Sequence, residues 1–318
     1  MSSTLIVSED VFIDSGEPGI QLFLRNKRPA GMVDFSPERT LLFCHGGSQA
    51  AEVTFDLPLD GLSWLDYVAQ RGWDVWLVDI RGFGKSTRPP EMDQPAESVP
   101  PQVRTATAWQ DFGAAVSYIL ARRGIAQLNA LGWSWGTMIT GGWAAYHPGI
   151  IKRLVLFGAA WAGNKPPPLP VVGYDTWTVP DTLRRLQTGA PEAERAGLTP
   201  PDWYEAWAAA TTATDPRASE YDPPRVRSPN GMVVDLEEAV RTGRPLYPAD
   251  QIDAHVLVVT GEWDALTTPE KARLVFDRLA GARSRRLTIL GSATHFAHLE
   301  RRRLALYATV QGFLEEEG

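Results

Sequence analysis

A serine that could act as a nucleophile stands near the middle of the chain, at Ser134. Residues 132–136 read Gly-Trp-Ser-Trp-Gly, after an apolar run that predicts a buried strand and before a segment that predicts a helix. This G-x-S-x-G pattern between a strand and a helix is typical of a nucleophile elbow, a sharp turn that exposes the serine hydroxyl. The helix N-terminus would stabilise negative charge that develops on a bound acyl group.

A serine hydroxyl also needs a neighbouring base and a carboxylate that orients the base. Asp264 and His295 each follow an apolar run that predicts a strand, at residues 256–260 and 286–290. The order serine, acid, histidine is the one expected for a nucleophile elbow of this kind. We therefore predict Asp264 as the acid and His295 as the base.

Other titratable residues compete for these roles. Glu262 is an alternative acid, but its longer side chain, just before Asp264 in the chain, is expected to point elsewhere. His298 is an alternative base, but the pattern places it in the first turn of the last helix and His295 on a loop. His45, ahead of a glycine pair, is interpreted as a residue that shapes its loop.

These residues need a scaffold that brings strand ends together. Short apolar runs alternate with longer segments of helical period, and an antiparallel hairpin at residues 11–25 is predicted to open the sheet. Such alternation predicts an α/β protein with a mostly parallel central sheet and helices on both faces. The predicted strands are 40–44, 73–79, 128–132, 154–157, 256–260 and 286–290, and the predicted helices are 62–71, 105–123, 135–146, 269–279 and 299–315.

One long interval breaks this alternation. From residue 159 to 253, prolines punctuate helical segments and no strand is convincing. The interval is too long for a structureless loop. We predict a core domain of residues 1–158 and 254–318 and a helical cap of residues 159–253. The cap would cover the carboxyl edge of the sheet, where open α/β sheets bind ligands.

Taken together, these motifs resemble those of the α/β-hydrolase fold superfamily. The matching segments occur in the family's order and span nearly the whole chain outside the predicted cap: His-Gly-Gly at 45–47, residues 79–86, residues 132–136, residues 261–264 and His295. The resemblance implies the α/β-hydrolase fold with a helical cap insertion. It carries little information about the substrate.

The resemblance also implies roles for individual residues. Ser134, Asp264 and His295 match the catalytic triad of the family. The backbone N–H groups of Gly47 and Trp135 match the oxyanion hole. Ser48 replaces Gly47 there if the register of the loop shifts.

Tryptophan is unusually frequent, with 12 residues in the chain. Trp133 flanks the serine, and Trp161, Trp203 and Trp207 fall in the predicted cap. Rings that face a cleft would form flat apolar walls for a hydrophobic substrate, although tryptophan also serves as a large core residue. We predict these four residues as substrate contacts.

Composition narrows the classes of partner and cofactor. A formal charge of −7 and a pI near 5.4 argue against nucleic-acid binding. Cys44 is the only cysteine, so the chain can form neither an intramolecular disulfide nor a thiolate metal cluster. No zinc motif is found, and we expect neither a metal nor a cofactor. The chain shows no signal peptide or membrane span, which predicts a cytoplasmic location and no membrane partner.

The function expected from these observations is a serine hydrolase. It would cleave a carboxylic ester or lactone of a fairly hydrophobic small molecule through an acyl-enzyme at Ser134. One alternative is an aminopeptidase similar to proline iminopeptidases, although Ser48 and Gln49 stand where those enzymes continue with Pro-Gly. Another is a small-molecule receptor on the same fold with slow or no turnover.

Overall fold

Strands and helices alternate through most of the chain. The computed structural model describes residues 5–161 and 171–316. The strands are β1 (Ile6–Asp14), β2 (Gln21–Pro29), β3 (Thr40–Cys44), β4 (Asp74–Val78), β5 (Leu128–Trp133), β6 (Ile151–Phe157), β7 (Tyr174–Trp177), β8 (Val226–Pro229), β9 (His255–Gly261) and β10 (Ser284–Leu290).

The helices lie between these strands and after them. They are α1 (Ala51–Phe55), α2 (Trp64–Ala69), α3 (Thr105–Arg123), α4 (Trp135–Tyr146), α5 (Val179–Leu186), α6 (Glu192–Leu198), α7 (Pro201–Ala213), α8 (Gly231–Thr242), α9 (Pro269–Arg278) and α10 (Arg303–Leu314). Short 3-10 helices occur as well, including Ala297–Leu299. In the described part of the chain, no helix is both long enough and apolar enough to cross a bilayer.

An eight-stranded sheet occupies the centre, in the order β1-β2-β4-β3-β5-β6-β9-β10. The β1–β2 and β2–β4 pairs are antiparallel, and the remaining pairs are parallel. The predicted opening hairpin and the predicted α/β class with a mostly parallel sheet are therefore confirmed. The carboxyl ends of the parallel strands all meet at one edge, which is where the candidate residues follow β5, β9 and β10.

The core lies on both faces of the sheet. Successive residues of a strand point to opposite faces, so Leu41 and Phe43 of β3 join one apolar cluster and Leu42 joins the other. The helices α3, α4 and α9 cover one face, and α2 and α10 cover the other. Because both of their faces are buried, the inner parallel strands β3, β5 and β9 read as largely apolar runs, whereas the edge strand β10 is mostly exposed.

The insertion between β6 and β9 differs from the sequence expectation in one respect. It contains helices, as expected, but β7 and β8 also pair as a short antiparallel ribbon. The expectation that this interval holds no strand was wrong. Each of these strands has only four residues and carries polar or proline positions, so the sequence lacks the apolar pattern of a buried strand.

Buried polar contacts fix the insertion to the core. Within the insertion, the guanidinium of Arg227 on β8 pairs with Asp215 at 2.7 Å, and both side chains are buried. Arg227 also donates a hydrogen bond to the carbonyl oxygen of Met92, 2.7 Å away in the loop after β4. Asp235 of α8 accepts the backbone N–H of Thr105 at the start of α3 at 2.7 Å. These contacts hold β8 and α8 beside the carboxyl edge of the sheet.

Candidate active site

The turn between β5 and α4 carries Ser134 in a strained conformation. Its φ of 55° and ψ of −120° lie outside the regions that non-glycine residues normally occupy. The Ser134 N–H donates to the carbonyl oxygen of Phe157 on β6 at 2.9 Å. A side chain at Gly132 would collide with the backbone of Gly136, and one at Gly136 would collide with the Cys44 carbonyl. The flanking glycines therefore permit the close packing that this turn requires.

Asp264 lies beyond the end of β9 and is almost fully buried. Its carboxylate accepts the N–H groups of Leu266 and Thr267 at 2.9 and 2.7 Å and the Thr267 hydroxyl at 2.7 Å. Burial alone would favour the neutral acid, but the His295 ring and these hydrogen bonds hold the pKa of Asp264 below its ordinary value. Asp264 therefore carries a negative charge at neutral pH.

His295 lies on the loop after β10, with its ring against that carboxylate. The distance from His295 Nδ1 to Asp264 Oδ2 is 2.7 Å, and both side chains are buried. An ionised carboxylate can only accept, so this contact fixes the proton on Nδ1 and leaves Nε2 as an acceptor. The indole N–H of Trp133 donates to the His295 carbonyl at 3.0 Å, which ties the loop to the residue before Ser134.

A buried carboxylate that the sequence analysis did not single out supports the same loop. Glu300 accepts the backbone N–H of Thr294 at 3.1 Å and its hydroxyl at 2.6 Å. Gln187, just after α5, donates to Glu300 at 3.2 Å. Burial raises the pKa of Glu300, and the hydrogen bonds from Thr294 and Gln187 oppose that rise. Glu300 thus connects the loop of His295 to the insertion.

The loop after β3 brings backbone N–H groups towards the serine. His45 accepts the Ile80 N–H on Nε2 at 3.0 Å, and its Nδ1 contacts the Gly46 carbonyl at 2.7 Å. Burial lowers the pKa of His45 to about 4, so the ring is neutral and shapes this loop. Among the described residues, the N–H groups of Gly47 and Trp135 donate to no backbone carbonyl. Both remain able to donate to a bound oxyanion.

A cavity of about 220 Å³ joins these parts of the molecule. Ser134, His295, Gly47 and Ser48 line it from the sheet edge. The insertion forms the opposite wall, through β7, α5, the end of β8 and the start of α8. Its lining side chains include Asp175, Trp177, Arg185, Leu186, Ser228 and Met232.

Comparison with known proteins agrees with this architecture. The model of the α/β-hydrolase fold family matches residues 39–302. This chain belongs to the α/β-hydrolase fold family. No curated protein matches its sequence.

Solved structures of other α/β-hydrolase fold proteins superpose over nearly the full chain. 2-Hydroxy-6-oxo-6-phenylhexa-2,4-dienoate hydrolase from Rhodococcus sp. strain RHA1 has a TM-score of 0.63 at 17% identity, covering 98% of this chain and 100% of its own. A thermophilic esterase from Thermogutta terrifontis has a TM-score of 0.62 at 14% identity, covering 96% and 98%. The enol-lactonase from Burkholderia xenovorans LB400 has a TM-score of 0.59 at 18% identity, covering 96% and 100%. At these identities the similarity establishes the fold alone.

The alternative acid and base of this α/β-hydrolase fold protein lie in different surroundings from Asp264 and His295. Glu262 is exposed, and its carboxylate accepts the Ser292 N–H at 2.9 Å. His298 is fully buried in the 3-10 helix ahead of α10, and its ring packs 4.4 Å from that of Trp133. Neither of its ring nitrogens has a hydrogen-bond partner among the described residues.

The four tryptophans predicted as substrate contacts have different locations. Trp133 lines the cavity beside Ser134. Trp203 and Trp207 are buried in the core cluster that joins α7 to the sheet, where their indole N–H groups donate to Asp60 and Gln49.

Trp161 borders a different groove. That groove, of about 670 Å³, is formed by the end of α8, the segment before β9 and the end of α9. Ser134 is not among the described residues that line this groove, whereas it does line the cavity of about 220 Å³. We therefore take the smaller cavity as the candidate site. Of the four predicted substrate contacts, Trp161, Trp203 and Trp207 are not among the described residues that line the candidate cavity. Trp203 and Trp207 pack in the core instead. Trp177, which the sequence analysis did not select, does line the cavity.

Proposed function

We propose that the protein is a serine hydrolase that cleaves a carboxylic ester or lactone of a small molecule through an acyl-enzyme at Ser134. One observation carries this proposal. The hydrogen bond from His295 to Asp264 leaves Nε2 as an acceptor, in a ring that lines the same cavity as the Ser134 side chain.

The chemistry follows from this arrangement. His295 Nε2 accepts the hydroxyl proton of Ser134 as the oxygen attacks the carbonyl carbon, and Asp264 stabilises the imidazolium that forms. The N–H groups of Gly47 and Trp135 donate to the oxyanion. His295 then protonates the leaving alcohol, and water activated by the same nitrogen hydrolyses the acyl-enzyme. The proton that His295 takes from this water passes to Ser134 Oγ as the acid product leaves, which restores the starting state.

The cavity favours a small substrate. Its volume of about 220 Å³ is below the range of roughly 300–1,000 Å³ that is common for pockets of drug-sized ligands. Trp133, Trp177, Leu186 and Met232 supply apolar walls, which supports an ester with a hydrophobic part. A long acyl chain would have to extend beyond these walls.

An aminopeptidase is the second candidate. The Asp175 carboxylate lines the cavity and could bind the amino group of a substrate. A slow-turnover receptor on the same fold is the remaining alternative, for which the site provides no specific support.

A substrate panel separates these candidates. The purified chain and its Ser134→Ala variant are assayed with p-nitrophenyl acetate, p-nitrophenyl butyrate, a δ-lactone and proline p-nitroanilide. We expect hydrolysis of esters or lactone by the wild type alone. Hydrolysis of only the anilide would indicate the aminopeptidase. Tight binding of ester or lactone without turnover would indicate the receptor.

A further inference from the structure

A cation of the insertion reaches the candidate cavity without a partner. Thr182, Arg185 and Leu186 lie on one face of α5, and all of them line the cavity that contains Ser134. Other arginines of the insertion, such as Arg184 and Arg227, form ion pairs with Asp181 and Asp215. Arg185 forms neither an ion pair nor a side-chain hydrogen bond with any residue that the structure describes.

Arg185 is exposed as a whole residue, but the surrounding protein partly shields its guanidinium from water. That shielding lowers the pKa of Arg185, and the residue also borders a second groove formed by α5, α6 and α7. Asp175 is the opposing charge on the same wall, but it lies beyond ion-pair distance, and its Oδ1 accepts the Thr176 N–H at 2.8 Å. An anion in the cavity would therefore gain a charge-assisted contact that the protein itself does not supply.

We propose that Arg185 binds a carboxylate of the substrate, so that the preferred substrates are small esters or lactones that carry a carboxylate away from the scissile bond. This inference rests on the proposed function of Ser134. The guanidinium presents planar paired donors that match a carboxylate, and Arg185 and Ser134 both line this one small cavity. The apolar walls would then surround the chain between the ester and the carboxylate.

The test compares charged and neutral esters of the same shape. The substrates are mono-p-nitrophenyl succinate, glutarate and adipate, each beside its neutral methyl ester. The variants are Arg185→Gln and, as a matched control, Arg184→Gln, which removes an exposed neighbour that does not line the cavity. Thermal unfolding of each variant checks that the fold is intact.

We expect wild type to favour the charged ester of at least one chain length. Arg185→Gln should lower kcat/KM for that ester by about tenfold or more and leave the neutral ester within about twofold, since a lost charged hydrogen bond has this order of effect. Arg184→Gln should change neither value. Asp175→Asn should raise the preference for the charged ester, because it removes the opposing carboxylate, and salt should reduce that preference.

Two kinds of failure are distinguishable. If neutral esters are hydrolysed but Arg185→Gln lowers both esters equally, or neither, Arg185 does not bind a substrate carboxylate. If no ester of either kind is hydrolysed and a phosphonate does not label Ser134, the proposed function itself is wrong.

Discussion

The loops at the sheet edge and the insertion opposite them hold their side chains in different ways. At the sheet edge, Asp264 accepts hydrogen bonds from backbone and side-chain donors and also contacts the ring of His295. On the insertion, Arg185 faces the cavity without such contacts among the described residues. The difference suggests separate roles for the two regions, one in the chemical step and one in the choice of ligand. Groups that would do chemistry are fixed before a ligand arrives, whereas the group that would select the ligand is left to pair with it.

The largest expected effect concerns the sheet edge. Asp264→Asn should lower kcat by about 10³- to 10⁴-fold, because an amide at this position permits the wrong tautomer of His295. Glu262→Gln is the matched control and should stay within about tenfold of wild type, since its exposed side chain contacts Ser292 and not the histidine. The measurement is steady-state hydrolysis of a p-nitrophenyl ester. A greater loss in Glu262→Gln than in Asp264→Asn would move the acid to Glu262.

Glu300 connects the two regions and should show an intermediate effect. Glu300→Ala removes the acceptor for the Thr294 N–H and hydroxyl, so the loop of His295 should loosen and kcat should fall by about tenfold to a hundredfold. Glu300→Gln retains an acceptor oxygen and should restore most of the activity. KM should change little in both variants. A rise in KM with kcat unchanged would contradict a role in positioning His295.

Substitution of two tryptophans in the insertion tests which of them contacts the substrate. Trp207→Ala should lower the free energy of unfolding by roughly 3–5 kcal/mol, since its ring is buried against Phe296 in the core. Trp177→Ala should instead change the ranking of ester substrates, because this ring lines the cavity. Thermal unfolding and kcat/KM across an ester panel separate the outcomes. An unchanged ranking in Trp177→Ala would remove this residue from the substrate site.

The smallest expected effect concerns the buried ring of His298, which follows the loop that carries His295. Burial, together with the neighbouring His295, lowers the pKa of His298 well below 6.5, so the unfolded chain binds a proton more readily than the folded chain. The contribution of His298 to the free energy of unfolding is fully present above about pH 6.5. It is lost as the pH falls towards the pKa of the folded state, by at most ~1.4 kcal/mol per pH unit. His298→Phe should therefore lose less stability between pH 7.5 and 5.5 in thermal unfolding than wild type. Equal losses would contradict a neutral, buried His298.

The same contrast explains what could be predicted from the sequence. The candidate residues at the sheet edge carry local signals in the sequence: a strand pattern ends, a turn follows, and the residue stands in that turn, as at Ser134 and His295. The strand pair β7–β8 and the locations of Trp203 and Trp207 carry no such signal. Their positions depend on packing between the insertion and the core, which one sequence does not encode in its periodicity. Glu300 lies close after His295, but glutamate is ordinarily a surface residue, so nothing in the sequence indicated that this carboxylate is buried.

Covalent labelling of Ser134 tests the central proposal most directly. The purified chain is treated with a fluorophosphonate, and the adduct is mapped by peptide mass spectrometry. We expect one adduct on the peptide that contains Ser134, no adduct in Ser134→Ala, and strongly slowed labelling in Asp264→Asn, because the orientation of His295 activates the hydroxyl. An adduct on another residue, or continued ester hydrolysis by a chain whose Ser134 remains unlabelled, would contradict the account.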